Sequence, residues 1–253
     1  MKLLFIASDK MEFRGLLAHA TAVREAEVAA RWSRSATLGV NEVLLVANGA
    51  GPDRAAAATD AGIKAFDAVA IVSTGFCGAL APELGIADLV SATSVQTADR
   101  SYATRMWDRH PGLSVQGVAP PRGQARMPVP HAPRHFDGAI RSIPYVARTA
   151  EEKRNLAVTG AIAVEMEAGG IAARAESHGL PLYCIRAVTD LAGETLANDF
   201  NKALRLDGHF DTILILKGTF RHPTVRLPEL FRLRKRCVRA AHVLGDFFAY
   251  SGI

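Results

Sequence analysis

Cysteine is scarce: Cys77, Cys184 and Cys237 are the three in 253 residues. They are too few and too scattered for a disulfide framework. Cys77 and Cys184 sit in apolar stretches, so buried free thiols and a reducing, cytoplasmic setting are expected. Long apolar runs are missing as well. The run Leu3-Leu4-Phe5-Ile6-Ala7-Ser8 is too short for a signal-peptide core. No stretch approaches the ~20 residues that span a bilayer. No low-complexity linker or internal repeat divides the chain, so a single domain over 1–253 is expected. The proline-rich stretch from Pro120 to Pro133 reads as a long loop. Several signatures also fail. Gly49-Ala50-Gly51 would need a third glycine where Arg54 stands. There is no P-loop, no Gly-x-Ser-x-Gly elbow and no His-Glu-x-x-His. His131 and His135 are separated by Pro133, which argues against a helix presenting both, so no metal site is expected.

What is present is globular: 49% apolar and 22% charged residues. A chain of this length buries enough surface to fold without disulfide or metal. Lys and Arg number 30 against 25 acids, a net of +5. The excess is local. Lys217 to Arg239 holds eight basic residues and one acid, Glu229, a net of +7 that leaves the remainder at −2. That argues against a generally basic nucleic-acid binder.

Apolar runs read as strands over residues 2–7, 31–38, 41–48, 68–74, 88–97, 138–146, 161–164 and 182–188. Helical patterns cover 11–20, 52–64 (with Pro52 at the first position), 149–156, 166–178 and 228–250. Thr149 and Glu152 form a capping box, and Gly179 followed by Pro181 marks a helix stop. Strands rich in Val, Ile and Leu alternating with helices give α/β architecture around a largely buried sheet. Sites in such folds lie at the carboxyl ends of strands.

Four strand ends carry chemistry: Asp9 to Glu12, Ser73 to Gly78, Glu165-Met166-Glu167, and Arg186 with Thr189-Asp190. The two carboxylates around Met166 fit simple capping of a helix start. They equally fit a pocket in which a carboxylate accepts hydrogen bonds from a vicinal diol while the thioether packs on a sugar face. Asp190 fits an ion pair with Arg186, four residues earlier. As a proton donor near neutrality it would need its pKa raised by three units from roughly 3.9, about 4 kcal/mol of burial and hydrogen bonding. A close Arg186 would oppose that shift.

Three segments together, IVSTGFCGALAPELGIADLV (71–90), AIAVEMEAGGIAARAESHGLP (161–181) and YCIRAVTDLAGE (183–194), resemble the nucleoside phosphorylase/nucleosidase superfamily. The likeness is strongest to 5′-methylthioadenosine/S-adenosylhomocysteine nucleosidases and covers roughly residues 1–200. It implies a three-layer phosphorylase-like fold with a central mixed sheet. It implies cleavage of the N-glycosidic bond of an adenine-type nucleoside through an oxocarbenium-like ribosyl cation, without a cofactor, in a homodimer or larger assembly. By the same resemblance Asp190 protonates purine N7, Glu12 orients the attacking water, and Arg186 stands near that water. Glu167 binds the ribose hydroxyls, Met166 lines the sugar beside Glu165, Thr74, Gly75 and Phe76 border the site, and Tyr145 and Val146 meet the base. Departures are visible. Phe76 stands where these enzymes commonly have serine, so Ser73 or Thr74 would have to compensate. Thr189 replaces a serine, and Pro144 lies near a missing base-loop aspartate.

Phosphorolysis is the alternative, with inorganic phosphate as co-substrate and Arg14, Arg186 and Arg100 as the available cations. NGAGPDRAA (48–56) and LPELFRLRKRCVRAAHVL (227–244) resemble hopanoid-associated phosphorylases, which implies an adenosyl lipid substrate. A non-catalytic purine-binding protein is a further alternative. In the basic C-terminal extension, Leu230, Leu233, Cys237, Ala241, Leu244 and Phe248 share one helix face, and Arg232, Lys235, Arg236 and Arg239 lie largely on the other. That is either a solvated helix docked on the sheet or a peripheral contact with anionic lipid.

Overall fold

A computed structural model describes residues 1–107, 133–205, 207–220 and 222–251. The Pro120–Pro133 loop, save Pro133, and His131 fall outside them. The chain opens with β1 (Lys2–Ala7), a 3₁₀ turn (Lys10–Phe13) and α1 (Arg14–His19). β2 (Thr21–Glu25), β3 (Trp32–Leu38), β4 (Asn41–Ala47) and α2 (Pro52–Ala65) follow. Then come β5 (Ala70–Ala79), β6 (Leu89–Gln96), β7 (Ser101–Ala103), β8 (His135–Ser142) and α3 (Ala150–Ala157). β9 (Ala163–Glu165), α4 (Ala168–Ser177), β10 (Leu182–Asp190), α5 (Phe200–Ala203), α6 (Thr212–Phe220) and α7 (Pro223–Tyr250) complete it.

The sheet is mixed, in the order β10-β6-β8-β9-β5-β1-β4-β3-β2, and β10 also pairs with β5. Five strands therefore close into a ring, and β1, β4, β3 and β2 extend from it as an arm. β1 lies parallel to both β4 and β5, and β5 parallel to β10. These are the continuous apolar runs, as expected for strands covered on both faces. One face carries α2 and α4 over Leu4, Ile6, Val46 and Ile71. The other carries α1 and the end of α7, whose Leu244 and Phe248 meet Phe5, Phe13 and Leu16. Helices on both faces of a buried mixed sheet make the expected three layers. α1 and α7 touch backbone to backbone: a Cβ on Gly245 would sit 2.0 Å from the carbonyl carbon of Gly15.

Several elements differ from the sequence reading, among them β8, which runs His135–Ser142 rather than 138–146, and β7, which had no signal. The helix expected from Met11 is split, because the Asp9–Glu12 capping box tightens its first turn into a 3₁₀ turn. The last helix starts at Pro223 and takes Pro228 into its interior. β2, α5 and α6 had no distinct signal; every residue of β2 is exposed. The helix expected from Met166 starts at Ala168, because the Glu165 carboxylate accepts hydrogen bonds from Glu167 N at 2.9 Å and Ala168 N at 2.8 Å. The Thr149–Glu152 capping box and the free, buried Cys77 and Cys184 are as expected.

Candidate active site

A cavity of about 480 Å³ opens where the ring meets the arm. Glu12, Phe76, Glu165, Met166, Glu167 and Asp190 all border it, as do Tyr145 and Val146. Residues from five separate segments thus converge on one space. Thr74, Gly75 and Arg186 lie behind its wall. Among the described residues no group of three His, Cys, Asp or Glu side chains is placed to hold a metal ion.

Arg186 organises the wall. It is fully buried, and the β5–β10 register sets it beside Gly75. One terminal nitrogen donates to the Thr74 carbonyl at 2.7 Å. The other donates to Ser73 Oγ at 2.8 Å and to Glu165 at 2.6 Å. Glu167 lies 3.9 Å from the first nitrogen. Arg186 and Asp190 therefore do not pair. Four residues along a strand span about 13 Å, which separates side chains that look adjacent in sequence. The Ser73 hydroxyl is spent on Arg186, and the Thr74 hydroxyl is buried without a partner.

Glu12 is buried on the turn after β1. Its Oε2 accepts hydrogen bonds from Ser8 N (2.8 Å), Ser8 Oγ (3.0 Å) and Asp9 N (3.1 Å). Its Oε1 accepts from Phe76 N at 3.1 Å. Phe76 thus reaches Glu12 through its backbone N–H, and its side chain supplies no hydroxyl there. Burial raises the Glu12 pKa, and Arg186 together with the three backbone donors pulls the other way. Gly75 separates Glu12 from Arg186. With φ at +137°, a Cβ would lie 2.6 Å from both Glu12 Oε1 and Arg186 Nη1.

The two carboxylates around Met166 divide the readings between them. Glu165 caps α4 and pairs with Arg186. Glu167 makes no capping bond; its Oε1 accepts from Gly51 N at 3.2 Å. Burial and the neighbouring Glu165 push its pKa up to about 8. Near neutrality it is a carboxylic acid, able both to donate and to accept a hydrogen bond.

Asp190 ends β10. Its partner is Lys153, the one buried residue of α3, which also donates to Leu191 O at 2.8 Å and Glu194 O at 3.3 Å. Burial raises the Asp190 pKa, with Lys153 opposing. Sequence reasoning missed Lys153. It also missed Asn201, whose side-chain amide bonds both the Val146 N–H (2.8 Å) and its carbonyl (2.9 Å) and so fixes the Tyr145–Val146 edge. Phe200, Phe210, Ile215, Leu230 and Leu233 supply an apolar part of the lining.

The phosphorylase superfamily model matches residues 2–208. A 5′-methylthioadenosine/S-adenosylhomocysteine nucleosidase of Mycobacterium bovis is 29% identical over 225 residues, 78% of this chain and 87% of that one. Its counterpart in Anoxybacillus flavithermus is 26% identical over 196 residues, 68% and 77% of the two chains. Among solved structures, the Streptococcus pyogenes S-adenosylhomocysteine nucleosidase in complex with 5-methylthiotubericidin superposes with a TM-score of 0.66 at 20% identity, covering 100% of this chain and 98% of that one. By sequence and by fold, the chain belongs to the phosphorylase superfamily.

Proposed function

We propose that the protein hydrolyses the N-glycosidic bond of an adenine-type nucleoside such as 5′-methylthioadenosine. The observation that carries this reading is the convergence of Glu12, Glu167 and Asp190 on one cavity, each with a pKa raised by burial. The named relatives, nucleosidases for this class of compound, support the same chemistry.

In this mechanism the C1′–N9 bond breaks first, and its electron pair passes to the purine. Asp190 gives a proton to N7, which makes the base a better leaving group. Lys153 stabilises the carboxylate that remains. The ribosyl cation is met by the carboxylates of the wall. Glu12 accepts a proton from water as the water oxygen bonds to C1′. Its donors from Ser8, Asp9 and Phe76 fix the carboxylate in orientation. Glu167 engages the ribose hydroxyls, Met166 packs on the sugar, and Tyr145 and Val146 border the base. The products are the free base and a 5-substituted ribose. Arg186 is a positioning residue: it holds Glu165 and lies beside Glu12 and Glu167.

Hydrolysis is favoured over phosphorolysis by how Arg14, Arg100 and Arg186 are used; a further cation bordering the cavity, Arg234, stands on the α7 side beside Leu233. The terminal nitrogens of Arg186 are committed to Thr74, Ser73 and Glu165. Arg100 pairs with Glu176 at 2.9 Å on the surface, and Arg14 is exposed outside the cavity wall. The apolar lining from α5 to α7 suits a thioether or other apolar 5′-substituent better than a zwitterionic one. The test is a nucleoside panel (5′-methylthioadenosine, S-adenosylhomocysteine, adenosine, inosine), with and without phosphate, read by mass spectrometry. Adenine release at equal rate in both conditions is expected. A strict phosphate requirement, with ribose 1-phosphate formed, would overturn hydrolysis.

A further inference from the structure

We infer that α6 and the first turns of α7 form a docking surface for an anionic membrane at the mouth of the cavity. On α6, Ile213, Leu214, Leu216 and Phe220 are all exposed, Ile213 by 62% and Phe220 by 73%. On α7, Val225, Leu227 and Phe231 are exposed, Phe231 by 63%. A soluble surface rarely groups large apolar side chains this densely without a use for them. The same two helices turn Ile215, Leu230 and Leu233 into the cavity lining, so the apolar surface continues into the pocket wall.

The charges select the occupant. Between Thr212 and Gly245 the one acid is Glu229, and it is buried, held by the Ala197 and Asn198 backbone N–H groups at 2.8 Å each. The two helices therefore show solvent no carboxylate over this stretch. They do show Lys217, Arg234 and Lys235, which have no acidic partner among the described residues. Helical spacing interleaves these cations with the apolar groups: Lys217 is four residues from Ile213 and three from Phe220. Arg234 and Lys235 are three and four residues from Phe231. Self-association through this face would set like charges against each other. An anionic bilayer satisfies both features, taking the apolar side chains below its headgroups and the lysines among them. No helix among the described residues is long and apolar enough to cross a membrane, so the contact is a lateral one.

The experiment is co-sedimentation of the full chain with phosphatidylglycerol/phosphatidylcholine vesicles, against phosphatidylcholine alone, at low and high salt. Binding to the anionic vesicles that weakens with salt is expected. The double variant Lys217→Gln/Lys235→Gln should bind on the order of 30-fold more weakly, from about 1 kcal/mol per lysine near an anionic surface. Ile213→Asp/Phe231→Asp should lose binding at all salt concentrations. Both variants should keep wild-type turnover of a soluble nucleoside, which reports that they fold. Absence of binding to anionic vesicles, or binding unchanged in both variants, overturns the inference. Equally decisive against it is sedimentation equilibrium in which Ile213→Asp/Phe231→Asp converts a dimer to a monomer while vesicle binding persists; the occupant is then a second copy.

Discussion

Replacing Lys153 by Met tests the coupling on which the proposed acid depends. The ammonium is fully buried and donates to Asp190, Leu191 O and Glu194 O. Methionine keeps the length of the side chain and removes charge and donors. Breaking a buried pair from one side costs about 3–5 kcal/mol, because the partner is left uncompensated. For a chain of this size that corresponds to a fall of about 6–20 °C in Tm near pH 8. The pH dependence is the sharper readout. The Asp190 pKa is already raised by burial, with Lys153 pulling it down. Without Lys153 it rises further. A carboxyl whose folded pKa lies above its unfolded value of about 3.9 loses stability as pH rises from that value to the folded pKa. The variant's stability deficit should therefore be small near pH 4 and grow toward pH 8. The proposed mechanism needs Asp190 protonated, so the alkaline limb of the kcat profile should move to higher pH, while kcat itself falls because the acid holds its proton harder. The assays are scanning fluorimetry across pH and a pH–rate profile, with Asp190→Asn and the double variant closing a cycle. A coupling of about 1.5–3 kcal/mol is expected for a charge-assisted bond. A pH-independent deficit with an unmoved alkaline limb would refute the coupling.

Other perturbations address the opposite wall. Gly75→Ala places a Cβ 2.6 Å from Glu12 Oε1 and Arg186 Nη1 at a φ of +137°, so turnover should fall by about 100-fold or more, with about 1–3 kcal/mol of strain read by urea unfolding. Glu12→Gln removes the proposed acceptor of the water proton and should lower kcat by about 10²–10⁴-fold with little change in KM. Glu167 is protonated below about pH 8. Wild-type stability should therefore decline from about pH 4.3 up to that value, and Glu167→Gln should flatten the slope in pH-dependent unfolding. The same variant should also remove any inflection of KM near pH 8. Gly245→Val, which drives side-chain atoms into the Gly15 backbone, should destabilise the α1–α7 contact by several kcal/mol without altering the cavity; unchanged Tm would contradict the close approach.

The buried strands were readable because β1, β4, β5 and β10 are covered on both faces and so are continuous apolar runs. The carboxyl ends of β1 and β10 located Glu12 and Asp190 for the same reason, and the end of the short β9 located Glu167. What escaped the sequence has specific causes. Lys153 sits in Ala-Glu-Glu-Lys-Arg-Asn-Leu-Ala, a helix that reads as a polar surface element. Its burial arises from where β10 ends, a tertiary fact. The capping box at Thr149 did fix the helix phase, and Lys153 follows it by one turn, but phase alone names no partner. At Phe76 the group that reaches Glu12 is a backbone N–H, which any residue but proline supplies, so side-chain identity gave no sign of that contact. α6 lacked a signal because its sequence, Thr-Ile-Leu-Ile-Leu-Lys-Gly-Thr-Phe, is apolar on nearly every side and shows no 3.6-residue alternation.

The same burial raises Glu12 and Asp190, yet the proposed reaction needs one ionised and the other protonated. The surroundings differ in a way that makes this division. Glu12 lies beside the Arg186 guanidinium, the largest pull toward its carboxylate, and also receives hydrogen bonds from three backbone N–H groups and one hydroxyl. Asp190 faces a single ammonium, whose pull burial outweighs. In the proposed reaction the guanidinium and these dipoles favour and aim the Glu12 carboxylate against the pull of burial. In the same proposal burial favours the protonated form of Asp190 against one cation, and that cation steadies the carboxylate left once the purine nitrogen takes the proton. Exchanging the two environments, rather than the two residues, is what the chemistry would not survive. Converting Ser8 to Ala should therefore raise the Glu12 pKa, by about 1 kcal/mol for one lost donor. The acid limb of the pH–rate profile should shift upward, and the alkaline limb, assigned to Asp190 in the proposed mechanism, should stay in place. A shift of both limbs together would mean that the two carboxylates titrate as one coupled system and that the division of roles is wrong.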